Sequence, residues 1–458
     1  DVTVAVSPQY EESVTSTFAS FITDIRPEHL SDVVRHRSKR MILDNIGVGL
    51  VGTTTRYGKA AVSIVIGHDD VCIVLLNGSG TTGTAQCAFF TNDVWVHSMD
   101  FDDTWHPATH PSGAVVPSIL ALSQLLSKEK RISGEDLLTA YNVGIEVQGR
   151  LMCFSHEAKN IPKKFHPPSV VGTMGSAAAA AKLLSLNREQ CTHALAIAAS
   201  LAGAPMANAA TLSKPLHIGN ATRLGLEAAL LASKGMEANA LILDYVPGCS
   251  GFSAFYGDYQ PKSLSPAGED YEFLLEKQDI AFKSFPAHLG MHWIADASVS
   301  VRNRLINHYG SFDPSAIQSI VLRVPVSKYI NRPYPESEHE ARHSFQFNAC
   351  TALLDGQVNV GSFSEDNLHR RDLHRLLKKV VLEHPEDNVA NFDKMYGEVV
   401  IVLKNGDVKI GRTDTFYGHW RNPLSRESLL KKFRSNALHV LGEGQVEDVI
   451  EIVENIES

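Results

Sequence analysis

The sequence predicts a mainly α-helical fold with a smaller α+β domain set into it late in the chain. Three observations carry that expectation. From about residue 13 to 259, apolar residues recur at helical spacing, most plainly at 32–50, 113–126, 133–149 and 173–186. Alanine crowds this region: 177–181 is five alanines in a row, and 194–210 is just over half alanine. Alanine favours helix and lets helices approach closely, so these segments read as buried and tightly packed. After about residue 262 the texture turns mixed, and β-rich runs enter.

Taken in order, the helical segments fill 1–278 as a first, all-helical domain. The next region, 279–414, is α+β. Its strands are expected at 317–324 (IQSIVLRV) and 398–403 (EVVIVL). The second run meets Asn405-Gly406 and then 407–410, the strongest short hairpin signal. Helical periodicity lies between them at 287–307 and 339–354. The remaining 415–458 carries an amphipathic stretch at 425–456, expected to fold back as helices on the first domain.

Composition narrows the function. Of 458 residues 44% are hydrophobic and 20% charged, ordinary for a globular protein. A formal net charge of −9 gives no global basic field for nucleic acid, so an anionic ligand must be held by local cations. No apolar run approaches the roughly 18 residues of a membrane helix. The longest, near 115–126, is interrupted by Pro117, Ser118, Ser123 and Gln124. Six scattered cysteines with no C-x-x-C pair argue for a reducing, intracellular setting. The acidic, arginine-free residues 1–17 read as neither a secretory signal nor a mitochondrial presequence.

Gly47-Val48-Gly49-Leu50-Val51-Gly52 matches G-x-G-x-x-G, but no strand leads into it and the surroundings are helical, so small residues on a packed helix explain it better. His339-Glu340-Ala341-Arg342-His343 matches the zinc-protease signature, yet Glu365, the downstream carboxylate best placed to serve as a third ligand, lies in a polar stretch with no helix to present it. The densest constellation runs from His97 to Gly113, where three carboxylates and three imidazoles fall within fourteen residues. A magnesium or zinc site, acid/base catalysis, and a capped helix start with solvated charges all remain open for it. Cationic islands follow at Lys163-Lys164-Phe165-His166, Lys214-Pro215-Leu216-His217 and Phe282-Lys283-Ser284-Phe285-Pro286-Ala287-His288. Their common setting in Pro- and Gly-punctuated loops suits ligand binding.

Together the strings HSMDFDDTWHPATHPSGAV, KKFHPPSVVGT, GAPMANAATLSKPLHIGNA, FKSFPAHLGMHW and SEHEARHSFQ resemble the MmgE/PrpD family, over nearly the whole chain from about 18 to 456. Within it they are most similar to the branch that converts cis-aconitate to itaconate. The resemblance implies a large all-helical domain with an inserted smaller α+β lid domain, a homodimer, a mitochondrial location with cytoplasm as the alternative, and no metal or organic cofactor. It brings over Asp100, Thr104, His110, His166, Lys214, Lys283 and Tyr329 as active-site positions, with His217 and His288 in the same motifs as further pocket residues.

Decarboxylation of a tricarboxylate gives those positions work. Lys214, Lys283 and His166 would supply positive charge where negative charge builds. A group titrating near neutral pH suits protonation of carbon, which favours His110, with Asp100 orienting it and Thr104 and Tyr329 donating hydrogen bonds. A 2-methylcitrate dehydratase of the same family, a metal hydrolase acting through His339 and His343, and a non-catalytic tricarboxylate binder are the alternatives.

Overall fold

The structure, a computed structural model, describes residues 13–56, 58–59, 94–106, 110–127, 129–159, 164–209, 211–327 and 330–458, and the backbone of 73–74 and 82–83. Among the described residues, seven helices of three or more turns build the helical part: α1 (Val14–Asp24), α2 (Asp32–Gly52), α3 (Val116–Leu126), α4 (Gly134–Cys153), α5 (Pro167–Leu183), α6 (Arg188–Leu201) and α7 (Lys214–Ser233). Their starts follow from the sequence. Ser13 and Ser31 cap α1 and α2 through their hydroxyls, while Ser133 with Asp136 and Asn187 with Gln190 form capping boxes on α4 and α6.

Helix α5 lies at the centre, against α4, α6 and α7, and Ala177 through Ala181 are wholly buried. Small residues set how near its neighbours come. A Cβ at Gly175 would stand 2.7 Å from the Gly144 carbonyl oxygen, and one at Gly225 would overlap the Thr173 carbonyl and lie 2.6 Å from Ser176 Cβ. The expected helix at 173–186 starts earlier, at Pro167, because a proline in the first turn lacks only an N–H that would go unbonded.

The second unit contains α8 (Met291–Tyr309), β1 (Ile317–Arg323), α9 (Glu338–Arg342), α10 (Phe345–Asp355), α11 (Arg371–Leu377), β2 (Val380–Glu383), β3 (Gly397–Leu403) and β4 (Val408–Thr413). The sheet order is β2-β1-β3-β4, with β1 and β2 parallel and the other pairs antiparallel. Gly406, at φ 93°, makes the expected β3–β4 turn. Its apolar core, including Ile320, Leu322, Phe345, Leu353 and Ile401, is separate from that of the helices.

The chain then returns. Leu429, Leu430 and Phe433 of α12 (Arg426–Ala437), and Val446 and Ile450 of α13 (Glu443–Glu454), join the helical core. A Cβ at Gly47 would be 2.8 Å from Phe433, so the G-x-G-x-x-G run on α2 serves close helix packing. No helix among the described residues is long and apolar enough to cross a membrane. Cys153, Cys191, Cys249 and Cys350 are free thiols, while Cys72 and Cys87 lie outside the described residues.

One expected element is divided. The helical pattern at 339–354 forms α9 and α10, broken at His343-Ser344, where the Ser344 hydroxyl caps the new helix by accepting from Phe347 N–H. The two histidines of the H-E-x-x-H match therefore do not share one continuous helix.

Candidate active site

The segment 94–106 enters between the helical core and the α+β unit. Thr104 and Ala281 exchange backbone hydrogen bonds of 2.9 Å in each direction, tying the two together. Within this segment Asp100 adopts a left-handed conformation, φ 51°, which aspartate tolerates better than most residues. Backbone strain of this kind, of order 1–3 kcal/mol, persists where surrounding contacts over-determine it. Here they do. The Lys214 ammonium, from the first position of α7, lies 2.5 Å from Asp100 Oδ2. Lys283 donates to Asp100 Oδ1 and, at 2.8 Å, to its carbonyl, while His343 Nε2 is 3.2 Å from Oδ2.

These contacts are almost dry: Asp100 is 3% exposed, Lys214 3% and Lys283 not at all. Burial alone would raise the Asp100 carboxyl, but the two ammoniums and His343 hold it well below the usual carboxylate range. Burial pushes the Lys214 ammonium down, and Asp100 opposes that shift.

Asp102, two residues on, serves different partners. Its oxygens lie 2.8 and 2.9 Å from His97 Nδ1, and Oδ2 is 3.3 Å from His110 Nδ1, which is also 3.2 Å from the Asp103 carbonyl. Burial would raise Asp102 too, but the flanking imidazoles keep it ionised. Burial lowers His97 to about 4, so this ring is neutral at physiological pH. Asp103 faces away, bonded to Ser112, whose hydroxyl is 2.7 Å from Tyr141 OH. Burial raises the Asp103 carboxyl well above its ordinary value, and the Ser112 hydroxyl and N–H that donate to it oppose that shift.

A cleft opens above these groups. Of the sequence-predicted residues, Thr104, His110, His166, Lys214 and His288 line it. His166 precedes Pro167 at the start of α5, in the extended conformation that a following proline favours. Its Nδ1 is 3.2 Å from Nδ1 of His217, so one ring donates and the other accepts. Burial, and then nearby Lys214, keep both rings unprotonated, His217 at about 4. Thr104 Oγ1 is buried with no hydrogen-bond partner among the described residues and stands at the cleft wall. Helices α5 and α7 both begin at this cleft, and helix N-termini favour anions.

Several expectations need correcting. Asp100 does not orient His110; Asp102 does, because the left-handed turn at Asp100 carries its carboxylate to Lys214 and Lys283 instead. Lys283 and His217 stand behind the lining, one beneath Asp100 and the other against His166. Tyr329 lies outside the described residues. His339 and His343 join no third ligand among the described residues; His343 Nδ1 is 2.9 Å from the His339 carbonyl oxygen and its other nitrogen faces Asp100.

The MmgE/PrpD N-terminal domain matches residues 16–265 and the MmgE/PrpD C-terminal domain matches 285–458. The chain belongs to the MmgE/PrpD family. Among MmgE/PrpD relatives, the cis-aconitate decarboxylase of Mus musculus is 53% identical over 97% of this chain and 91% of its own length. The Homo sapiens protein of the same name is 51% identical over 97% of the chain and 92% of its own. A cis-aconitate decarboxylase of Aspergillus terreus strain NIH 2624 is 24% identical over 97% and 93%.

Four positions in this MmgE/PrpD chain have places in the site that the sequence does not mark. His97 and Asp102 sat in the densest motif, where the pairing of acids with bases depends on one backbone angle. His343 was read as half of a metal motif. Lys159, at the cleft mouth with Asn391 and Phe392, carries no motif that would mark it.

Proposed function

We propose that this protein decarboxylates cis-aconitate to itaconate and CO2. The observation that carries the reading is identity of about half the residues, across nearly the full length, to two mammalian proteins named for that activity. The cleft suits it: two ammoniums, four imidazoles, an unpartnered hydroxyl and two helix N-termini surround a space fit for a small polyanion.

Loss of CO2 from the CH2–COO⁻ arm leaves an electron pair spread over the allyl system towards the remaining carboxylate. One proton delivered to the far carbon moves the double bond and gives itaconate. The double bond accepts the electrons, so the step requires neither a Schiff base nor a metal. Lys214 and the N-termini of α5 and α7 bind carboxylate charge, and Thr104 donates its free hydroxyl. His110 delivers the proton from Nε2, since Nδ1 is committed to Asp102 and the Asp103 carbonyl. Ionised Asp102 stabilises the imidazolium that precedes transfer. Asp100 and Lys283 position Lys214 from below.

In the same proposal, 1–278 is the helical domain, 279–414 a lid whose His288 and Phe392 close over bound substrate, and 415–458 the returning helices. The protein acts as a homodimer in mitochondria. A proton NMR time course with cis-aconitate, with and without EDTA, tests the reaction. Two itaconate methylene signals growing at equal rates in both tubes are expected. Intact cis-aconitate alongside dehydration of 2-methylcitrate would overturn the reading.

A further inference from the structure

We infer that His97, His110 and His166 form an inhibitory binding site for a borderline-soft divalent ion, zinc foremost, within the candidate active site. Its effect on turnover rests on the decarboxylase reading; the binding itself does not.

One ring nitrogen from each of the three histidines lies within 4.8 Å of the others. The set is buried, at 1%, 8% and 4% exposure, and two of its members, His110 and His166, line the cleft, which leaves a fourth position open to water or another small ligand. Three imidazoles with one open position is a recurrent zinc arrangement, and imidazole discriminates against magnesium and calcium.

Two further features point to a cation. Asp102 faces Nδ1 of both His97 and His110, and a carboxylate behind a ligating imidazole fixes its tautomer and strengthens its lone pair. His97 Nε2, the nitrogen turned from Asp102, is buried and has no hydrogen-bond partner among the described residues. With Nδ1–H donated to Asp102, that atom is a bare acceptor, and leaving it so costs about 1–3 kcal/mol. A bound cation removes that cost. The nearest ammonium, on Lys214, is tied to Asp100 and does not fill the role. Occupancy would take the His110 nitrogen out of proton transfer, hence inhibition.

Calorimetric titration of the EDTA-treated full chain with zinc chloride, together with visible absorption of a cobalt(II) chloride titration, reads binding directly. The NMR rate assay reads the consequence. One equivalent of zinc per chain is expected, with cobalt giving the intense ligand-field bands of a four-coordinate nitrogen site. Turnover should fall in step with occupancy and return on adding EDTA. His97→Ala should bind zinc at least about tenfold more weakly and Asp102→Asn about 10–100-fold more weakly, whereas His339→Ala should bind as the parent does. The cobalt spectrum needs no variant, so a misfolded His97→Ala leaves the test intact. Absence of zinc heat and cobalt bands, undiminished affinity in a folded His97→Ala, loss of affinity in His339→Ala alone, or zinc that accelerates turnover would each overturn the site. If cis-aconitate is never consumed, calorimetry still decides it; if zinc fails to bind while itaconate forms, this inference falls and the decarboxylase stands.

Discussion

Three aspartates within four residues, all buried, have three different fates. Asp100 is ionised between two lysines, Asp102 is ionised between two histidines, and Asp103, pushed upward by burial, accepts from Ser112. Isosteric substitutions separate them. Asp102→Asn is expected to lower kcat on the order of 100-fold or more with little change in KM, because an amide can present the wrong hydrogen-bonding group to His110. Steady-state kinetics with cis-aconitate reads this directly. Asp103→Asn should cost about 1–3 kcal/mol of stability with a smaller effect on kcat, since an amide nitrogen would face the Ser112 hydroxyl or N–H that now donates to Asp103; unchanged chemical denaturation would refute that pairing. Asp100→Asn leaves two buried ammoniums facing one neutral group, and removing one partner of a buried charge pair costs about 3–5 kcal/mol. Chemical denaturation should show that loss, and a stability within 1 kcal/mol of the parent would refute the network. Sequence supplied the members of this cluster but not its pairing. In Asp100-Phe101-Asp102-Asp103 a positive φ at Asp100 accompanies the turn of its carboxylate towards the lysines, and no spacing rule carries that angle.

At the scale of elements, helices were legible where small or apolar residues repeated over two or more turns. The cap chemistry of Ser31 and Ser133 accounts for starts close to those expected, while Asn187 starts α6 ahead of the alanine-rich run at 194–210. Two features escaped for physical reasons. Strand β2 (Val380–Glu383) is short and half exposed, so it lacks the apolar alternation of its partners, and its place comes from parallel pairing with β1. The break between α9 and α10 comes from Ser344 preferring to cap, a local choice inside an otherwise continuous helical pattern. The hairpin at Asn405-Gly406, by contrast, could be placed to the residue, because that turn type demands positive φ. Close approach of α5 and α7 gives the prediction proper to this scale. Gly225→Ala would drive a methyl group against the Thr173 carbonyl, and such overpacking typically costs about 1–3 kcal/mol. A lower Tm by calorimetry is expected, and an unchanged Tm would mean that the helices are free to move apart.

Across the whole molecule, burial of histidine dominates the response to acid. Burial is the leading cause that lowers His97, His217 and His419 to about 4, and His292 and His339 to about 3, all from an ordinary 6.5. The unfolded chain therefore binds more protons than the folded one throughout the window from about 6.5 down to those values. Folding stability is at full strength above pH 6.5 and falls as the pH drops through the window, by up to about 1.4 kcal/mol per pH unit for each ring. Thermal unfolding between pH 7 and 4.5 should show Tm dropping steadily below 6.5, with net proton uptake on unfolding. A flat profile would mean these rings are hydrated and titrate normally.

The knot of charge around Asp100 also sets a timetable. Its two lysines lie 114 and 183 residues further along the chain. A ribosome adding about 5–20 residues per second delivers the second of them some 10–35 seconds after the aspartate. For that interval the carboxylate has to stay hydrated and its left-handed turn unsupported, with the helical core half built around a vacancy. The catalytic floor is thus sealed only after more than half of the chain has been made. A chain released before Lys283 emerges would hold most of the helices, none of the chemistry, and an apolar face for chaperones to find.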